Sequence, residues 1–126
     1  MSLISIVIPC FNEEDNVVKI ANEIRTIFKN QLEDDKYEII FIDNGSTDKT
    51  HEKIKELCSS DKDIKLIINA KNYGQLISPY YGMLQASGDA IMQMVCDFQD
   101  PPSVIPDLIK EWKNGSKMVL AVPKST

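Results

Sequence analysis

Two short polar clusters carry residue types from which binding chemistry is made. In Val95–Pro102 (VCDFQDPP), Asp97 and Gln99 stand two apart at the end of an apolar run, so on extended backbone they leave the same face. A carboxylate and an amide oxygen are hard donors. Mg2+ or Mn2+ takes few protein oxygens and completes its shell with water and phosphate oxygens, so Asp97 and Gln99 form a candidate metal site for a diphosphate. The plain alternative is that Asp97 ties down the turn and Asp100 caps a helix. Asp43–Asp48 (DNGSTD) sets two carboxylates, an amide and two hydroxyls beside Gly45, a set able to read a base or ribose edge. It is equally the composition of an ordinary strand-to-helix turn, with Ser46, Thr47 or Asp48 as cap.

Other chemistries lack their residues. No Gly-rich phosphate loop and no GxGxxG occurs, which removes the fingerprints of the P-loop kinases and the dinucleotide dehydrogenases. His51 is the one histidine and falls in a predicted helix after the second turn, which argues against a Ser-His-Asp triad, and His51 reads as solvated. Cys10 and Cys96 fall at predicted strand ends and read as small buried thiols, not nucleophiles. The odd number and wide spacing of Cys10, Cys58 and Cys96 fit neither a zinc site nor a disulfide framework, and point to a reducing, cytoplasmic setting. A net charge of -5 with no basic cluster argues against nucleic acid as a partner. The apolar runs are strand-sized, well short of the roughly 20 residues of a membrane-spanning helix.

What must position the clusters is an alternation of apolar and amphipathic runs. Leu3–Pro9, rich in Ile and Val and too short for a helix, predicts a strand buried on both faces. Over Glu13–Lys29, Val17, Ile20, Ile24, Ile27 and Phe28 recur at helical spacing. They predict an amphipathic helix with Asn12 as its N-cap and Glu13, Glu14 and Asp15 in a first turn whose dipole favours acids. Tyr37–Ile42 predicts a second strand, Thr50–Ser59 a helix with Ile54, Leu57 and Cys58 on one face, and Ile64–Ile68 a third strand. A helix ending near Ala86, started or kinked by Pro79, leads to a strand over Ala90–Cys96. Asp100 before Pro101 predicts a capped short helix towards Trp112, and Met118–Val122 a last strand. The alternation predicts an α/β domain with a mainly parallel sheet flanked by helices. Ligands of such sheets sit at the carboxyl ends of the strands. Phe11–Glu14, Asp43–Asp48, Asn69–Gly74 and Asp97–Asp100 each follow a predicted strand, so four loops converge on one rim.

Taken in order, IVIPCFNEE (Ile6–Glu14), IIFIDNGSTDKT (Ile39–Thr50), KNYG (Lys71–Gly74), SGDAI (Ser87–Ile91) and CDFQDPP (Cys96–Pro102) resemble the family 2 glycosyltransferases. Across nearly the whole chain the sequence looks most like the polyprenyl-phosphate or dolichyl-phosphate sugar transferases and their bacterial cell-envelope relatives. The resemblance implies a Rossmann-like nucleotide-binding domain of the GT-A fold. It implies that Pro9, Phe11 and Glu13 hold the nucleotide, that Ile42 and Asn44 flank the base, and that Lys71 lies near the phosphates. Cys96, Asp97 and Gln99 then surround the metal and the diphosphate, with Asp97 and Gln99 as ligands of Mg2+ or Mn2+.

Two positions depart from the family pattern. Asn44 stands where a second Asp is common before the Gly of the second motif; its amide both donates and accepts, so it can still bond a base. Val95 occupies the first acidic position of the metal motif. The implied reaction is transfer of a sugar from a nucleoside diphosphate to a lipid-phosphate or glycan acceptor. Residues 1–126 are expected to supply the donor-binding half, truncated before the acceptor machinery and leaving the catalytic base unassigned. Membrane contact is expected only through segments outside this chain, at the inner face of the membrane, and self-association stays open. A non-catalytic nucleotide-binding or scaffold module and a sugar-phosphate nucleotidyltransferase remain as rival readings.

Overall fold

The computed structural model describes residues 2–68, 88–94, 96 and 102–114. Four strands, β1 (Leu3–Cys10), β2 (Lys36–Asp43), β3 (Ile64–Ile68) and β4 (Ala90–Gln93), form one sheet in the order β3-β2-β1-β4. Every pairing is parallel, with Leu3 opposite Lys36 and Cys10 opposite Asp43 at the two ends of the central pair. The chain leaves β1 towards β2 and β3, then returns to place β4 on the other side of β1. The order therefore reverses between β1 and β4, and an open α/β sheet opens its ligand crevice at such a reversal.

Period-2 alternation sorts the strand residues onto two faces. Ile4, Ile6, Ile8 and Cys10 of β1 join Ile39 and Phe41 of β2, Ile64 of β3, Met94 and Cys96 in the main core. The helices α1 (Val17–Gln31), α2 (Thr50–Ser60) and α3 (Ile105–Lys113) close over that face with Val17, Ile20, Ala21, Ile24, Phe28, Ile54, Leu57, Ile105 and Ile109. On the other face Val7, Ile40 and Ile42 form a second buried cluster with Ile67 against it. Both faces of β1 and β2 are thus apolar, which is why these strands read as continuous hydrophobic runs.

The amino end of the sheet is tied by a polar row across the strands. The Ser5 hydroxyl donates to Glu38 Oε1 at 3.0 Å, Lys65 Nζ donates to Glu38 Oε2 at 2.7 Å, and the Gly88 amide donates to Ser5 Oγ at 2.8 Å. Position 88 needs glycine for that approach, since a Cβ there would stand 2.5 Å from Ser5 Oγ and 2.7 Å from the Ser5 amide nitrogen. At the same end Lys113 Nζ reaches Asp35 Oδ2 at 2.7 Å, joining α3 to the turn before β2.

The predicted elements that fall within the described residues are present, several with shifted ends. β3 spans the predicted residues, β1 and β2 each run one residue further at their carboxyl ends, and β4 stops at Gln93 instead of Cys96. The first helix begins at Val17, not Glu13, with Asn16 at the N-cap and no acidic residue in its first turn. Asn12 is not a helix cap: it sits at φ 53°, in the left-handed region that asparagine tolerates better than most residues. The last described helix opens through a 3-10 turn at Pro102–Val104, with Val104 at its N-cap. The Asp100 cap, the helix around Pro79 and the strand at Met118–Val122 fall outside the described residues.

Candidate functional site

Parallel pairing places the carboxyl ends of all four strands on one edge, and two of the four expected rim loops are described. Beyond Cys10, Phe11 turns outwards and is 44% exposed, an aromatic face at the rim beside the β1/β4 reversal. Beyond Asp43, the chain turns at Gly45, whose φ of 83° is one that glycine adopts without strain.

The two loops are bonded into a single corner. Asp43 Oδ1 accepts the Ser46 amide at 2.9 Å, folding the second loop back on its own start. Ser46 Oγ then accepts the Asn12 amide at 2.9 Å, while Asn12 Oδ1 accepts the Thr47 amide at 2.8 Å and the Asp48 amide at 3.4 Å. The Glu13 amide donates to Thr50 Oγ1 at 2.8 Å and the Glu14 amide to Asp48 Oδ2 at 3.3 Å. Asp48 Oδ1 takes both the amide and the hydroxyl of Thr50, the first residue of α2, while the N-cap position is Lys49 and not the expected Ser46, Thr47 or Asp48. Lys53 Nζ closes the corner on the Glu14 carbonyl at 2.9 Å, and the Asn44 amide donates to the Cys10 carbonyl at 3.0 Å.

Charge follows from this wiring. Desolvation acts to raise the pKa of Asp48, but the hydroxyl and amide of Thr50 and the amide of Glu14 outweigh it and hold the carboxyl below its usual range. Burial drives the Cys10 thiol far above its ordinary value, with Cys96, Asp43, Glu13 and Asp48 pushing the same way. Cys10 is therefore a protonated packing residue whose Sγ donates to the Ile42 carbonyl at 3.4 Å, as expected of a buried thiol and not of a nucleophile. His51 departs from the expected solvated role: its side chain is 31% exposed and Nδ1 lies 3.6 Å from Oδ2 of the buried Asp43.

The residues assigned to the site fall into three groups. Phe11 is exposed and Glu13 half-buried, its Oε2 accepting the Asn16 side-chain amide at 2.9 Å. Pro9, Ile42, Asn44 and Cys96 are buried beneath the rim, Ile42 in the second apolar cluster and Cys96 in the main core. Lys71, Asp97 and Gln99, with Val95 and Asp100, lie outside the described residues. Among the described residues no group of three or more His, Cys, Asp or Glu side chains is arranged to hold a metal ion. Sequence reasoning missed the bridging role of Asn12 and the double role of Thr50. The available signal was an asparagine directly before acidic residues that do not start a helix, which is the composition of a turn held by its own side chains.

With the sheet order and rim in place, the comparison that decides the family is the match of residues 5–125 to the model of glycosyl transferase family 2. The chain belongs to glycosyltransferase family 2. Within the family it is 38% identical over 118 residues to the bactoprenol glucosyl transferase of Shigella phage SfV, covering 94% of this chain and 38% of that protein. To the dolichol-phosphate mannosyltransferase of Pyrococcus furiosus it is 38% identical over 117 residues, 93% of this chain and 32% of that one. Among solved structures the mannosyltransferase PcManGT from Pyrobaculum calidifontis, in complex with GDP-Man and Mn2+, superposes with a TM-score of 0.72 at 16% identity. That match covers 86% of this chain and 32% of that chain. The fold is thus the parallel, helix-flanked sheet of the GT-A class, and this family 2 chain spans only about a third of the length of the curated relatives it matches.

Proposed function

We propose that this family 2 chain supplies the donor-binding part of a transferase that moves a sugar from a nucleoside diphosphate to a polyprenyl phosphate or a cell-envelope glycan. The observation that carries the reading is the rim itself. An exposed Phe11 stands beside a corner in which the β1 and β2 loops are fixed by side-chain hydrogen bonds, at the sheet end where α/β folds take nucleotides. Relatives named for bactoprenol and dolichol phosphate support the lipid-phosphate acceptor over the glycan.

The corner is suited to the uncharged part of the donor. The amides of Asn12, Glu13 and Glu14, which an anion would otherwise attract, are already bonded to Ser46, Thr50 and Asp48. Glu13, Glu14, Asp15 and Asp48 add negative charge around them, so a diphosphate is repelled from this side. A base and ribose can lie here, by stacking on Phe11 and by hydrogen bonds. The diphosphate then belongs towards β4 and the residues after Cys96, where Asp97 and Gln99 would hold Mg2+ or Mn2+ and Lys71 would approach the phosphates. Their oxygen donors match the chemistry of such a cation, which when bound neutralises the charge that develops on a departing diphosphate. The unbridged thiols of Cys10, Cys58 and Cys96 support a cytoplasmic setting, and in the full protein the domain would work at the inner face of the membrane.

Isothermal titration of the protein with UDP and GDP, each with and without Mn2+, tests the reading. Binding of one of them that strengthens with Mn2+ is the expected result; no binding of either under any condition overturns it.

A further inference from the structure

We infer that Asn12 is a positioning residue that fixes the β2 loop against Phe11 and thereby sets which base the rim accepts; the inference rests on the donor-binding reading above. Three independent properties of this one residue meet at the corner. Its backbone holds φ 53°, which turns the chain after Phe11. Its amide donates to Ser46 Oγ at 2.9 Å, and its side-chain oxygen gathers the Thr47 amide, the Asp48 amide and the Thr47 hydroxyl at 2.8, 3.4 and 3.4 Å. Residues 11 and 12 thus carry the exposed ring on one side and the clamp on Ser46, Thr47 and Asp48 on the other. A shift of the clamp moves the second loop relative to the ring.

The clamp is not a scaffold bond in the ordinary sense. Asn12 is exposed and contributes nothing to either apolar cluster, and the sheet is held without it by the ladders of β1 with β2 and β4. What its side chain determines is the distance between two loops that a base would bridge. Of the other residues, aspartate offers the same short acceptor with a similar tolerance of positive φ, while glycine offers the φ and no acceptor. These two substitutions separate the backbone requirement from the hydrogen bonds.

The test measures the affinity of the full chain for UDP and for GDP in the presence of Mn2+, for wild type, Asn12→Gly and Asn12→Asp. The preferred nucleotide is expected to bind roughly tenfold more weakly to Asn12→Gly, as befits loss of an acceptor serving several donors. The other nucleotide should change less, so the ratio between them narrows, whereas Asn12→Asp keeps most of both. Amide hydrogen exchange at Thr47 and Asp48, faster in Asn12→Gly and restored in Asn12→Asp, confirms that the clamp is what was removed. A preference between UDP and GDP that is the same in wild type and Asn12→Gly overturns the inference while leaving the donor-binding reading intact. Failure of the wild type to bind either nucleotide overturns both, and so identifies the donor-binding reading as the fault.

Discussion

The two ends of the sheet solve the same problem, tying neighbouring parallel strands together through polar side chains, with different chemistry. At the amino end the buried acids meet cations: Glu38 pairs with Lys65 and Asp35 with Lys113, while Asp61, beside β3, takes Arg25 and the Tyr37 hydroxyl. At the carboxyl rim the acids are held by neutral donors, with Ser46, Thr50 and Glu14 amides on Asp43 and Asp48. Neutral donors fix the shape of a loop without cancelling its charge. The amino end is therefore a charge-balanced fastening, and the rim is an equally ordered surface that keeps a surplus of negative charge. On the donor-binding reading that surplus keeps the diphosphate off the corner and leaves it to the base and ribose; a fastening has no such task.

If the division is real, variants at the two ends must separate stability from binding. The largest effect is expected at Gly88, where alanine would drive a Cβ into Ser5 and lower stability by about 2–3 kcal/mol in chemical denaturation, with nucleotide affinity of the folded protein unchanged. Ser5→Ala leaves Glu38 and the Gly88 amide each short of a partner. It should cost roughly 1–2 kcal/mol, again without a change in nucleotide affinity, and a weakened nucleotide Kd in either variant would break the comparison.

At the rim the expected signature is acid sensitivity. The Asp48 carboxyl has a folded pKa below its unfolded value of about 3.9, so its contribution is fully present above that value and is lost as pH falls through the lower folded pKa. The stability difference between wild type and Asp48→Asn should accordingly be flat from neutral pH to about pH 5 and shrink below about pH 4. A difference that grew on acidification would contradict the wiring. The smallest effect is expected for Lys113→Ala, which removes a cation that is 45% exposed from Asp35. It should cost under about 1 kcal/mol and be screened by added salt, as seen by repeating the denaturation at high ionic strength.

Much of the scaffold was legible because its signals are local and redundant. Five apolar residues at helical spacing specify α1 wherever it starts, and runs such as YEIIFI have no alternative that buries them. The helix start was misplaced because Asn12 satisfies every local criterion for a cap, and only the second loop, more than thirty residues away, offers it a better set of partners. The same limit hid the role of His51, whose neighbour Asp43 is adjacent only once β2 and α2 are packed together.

The composition and order of residues determined by themselves that this chain would build a parallel α/β sheet with polar loops at one rim, and which family's motifs those loops carry. Apolar periodicity and motif spacing are written along the chain and need no partner to be read. The tertiary structure alone decided that the β1 and β2 loops act as one corner, that Asn12 joins them, and that Asn44 and Ile42 lie beneath the surface and Phe11 upon it. Hydrogen bonds between residues so distant in sequence form only after parallel pairing has brought two strand ends to the same edge, and no local pattern encodes them.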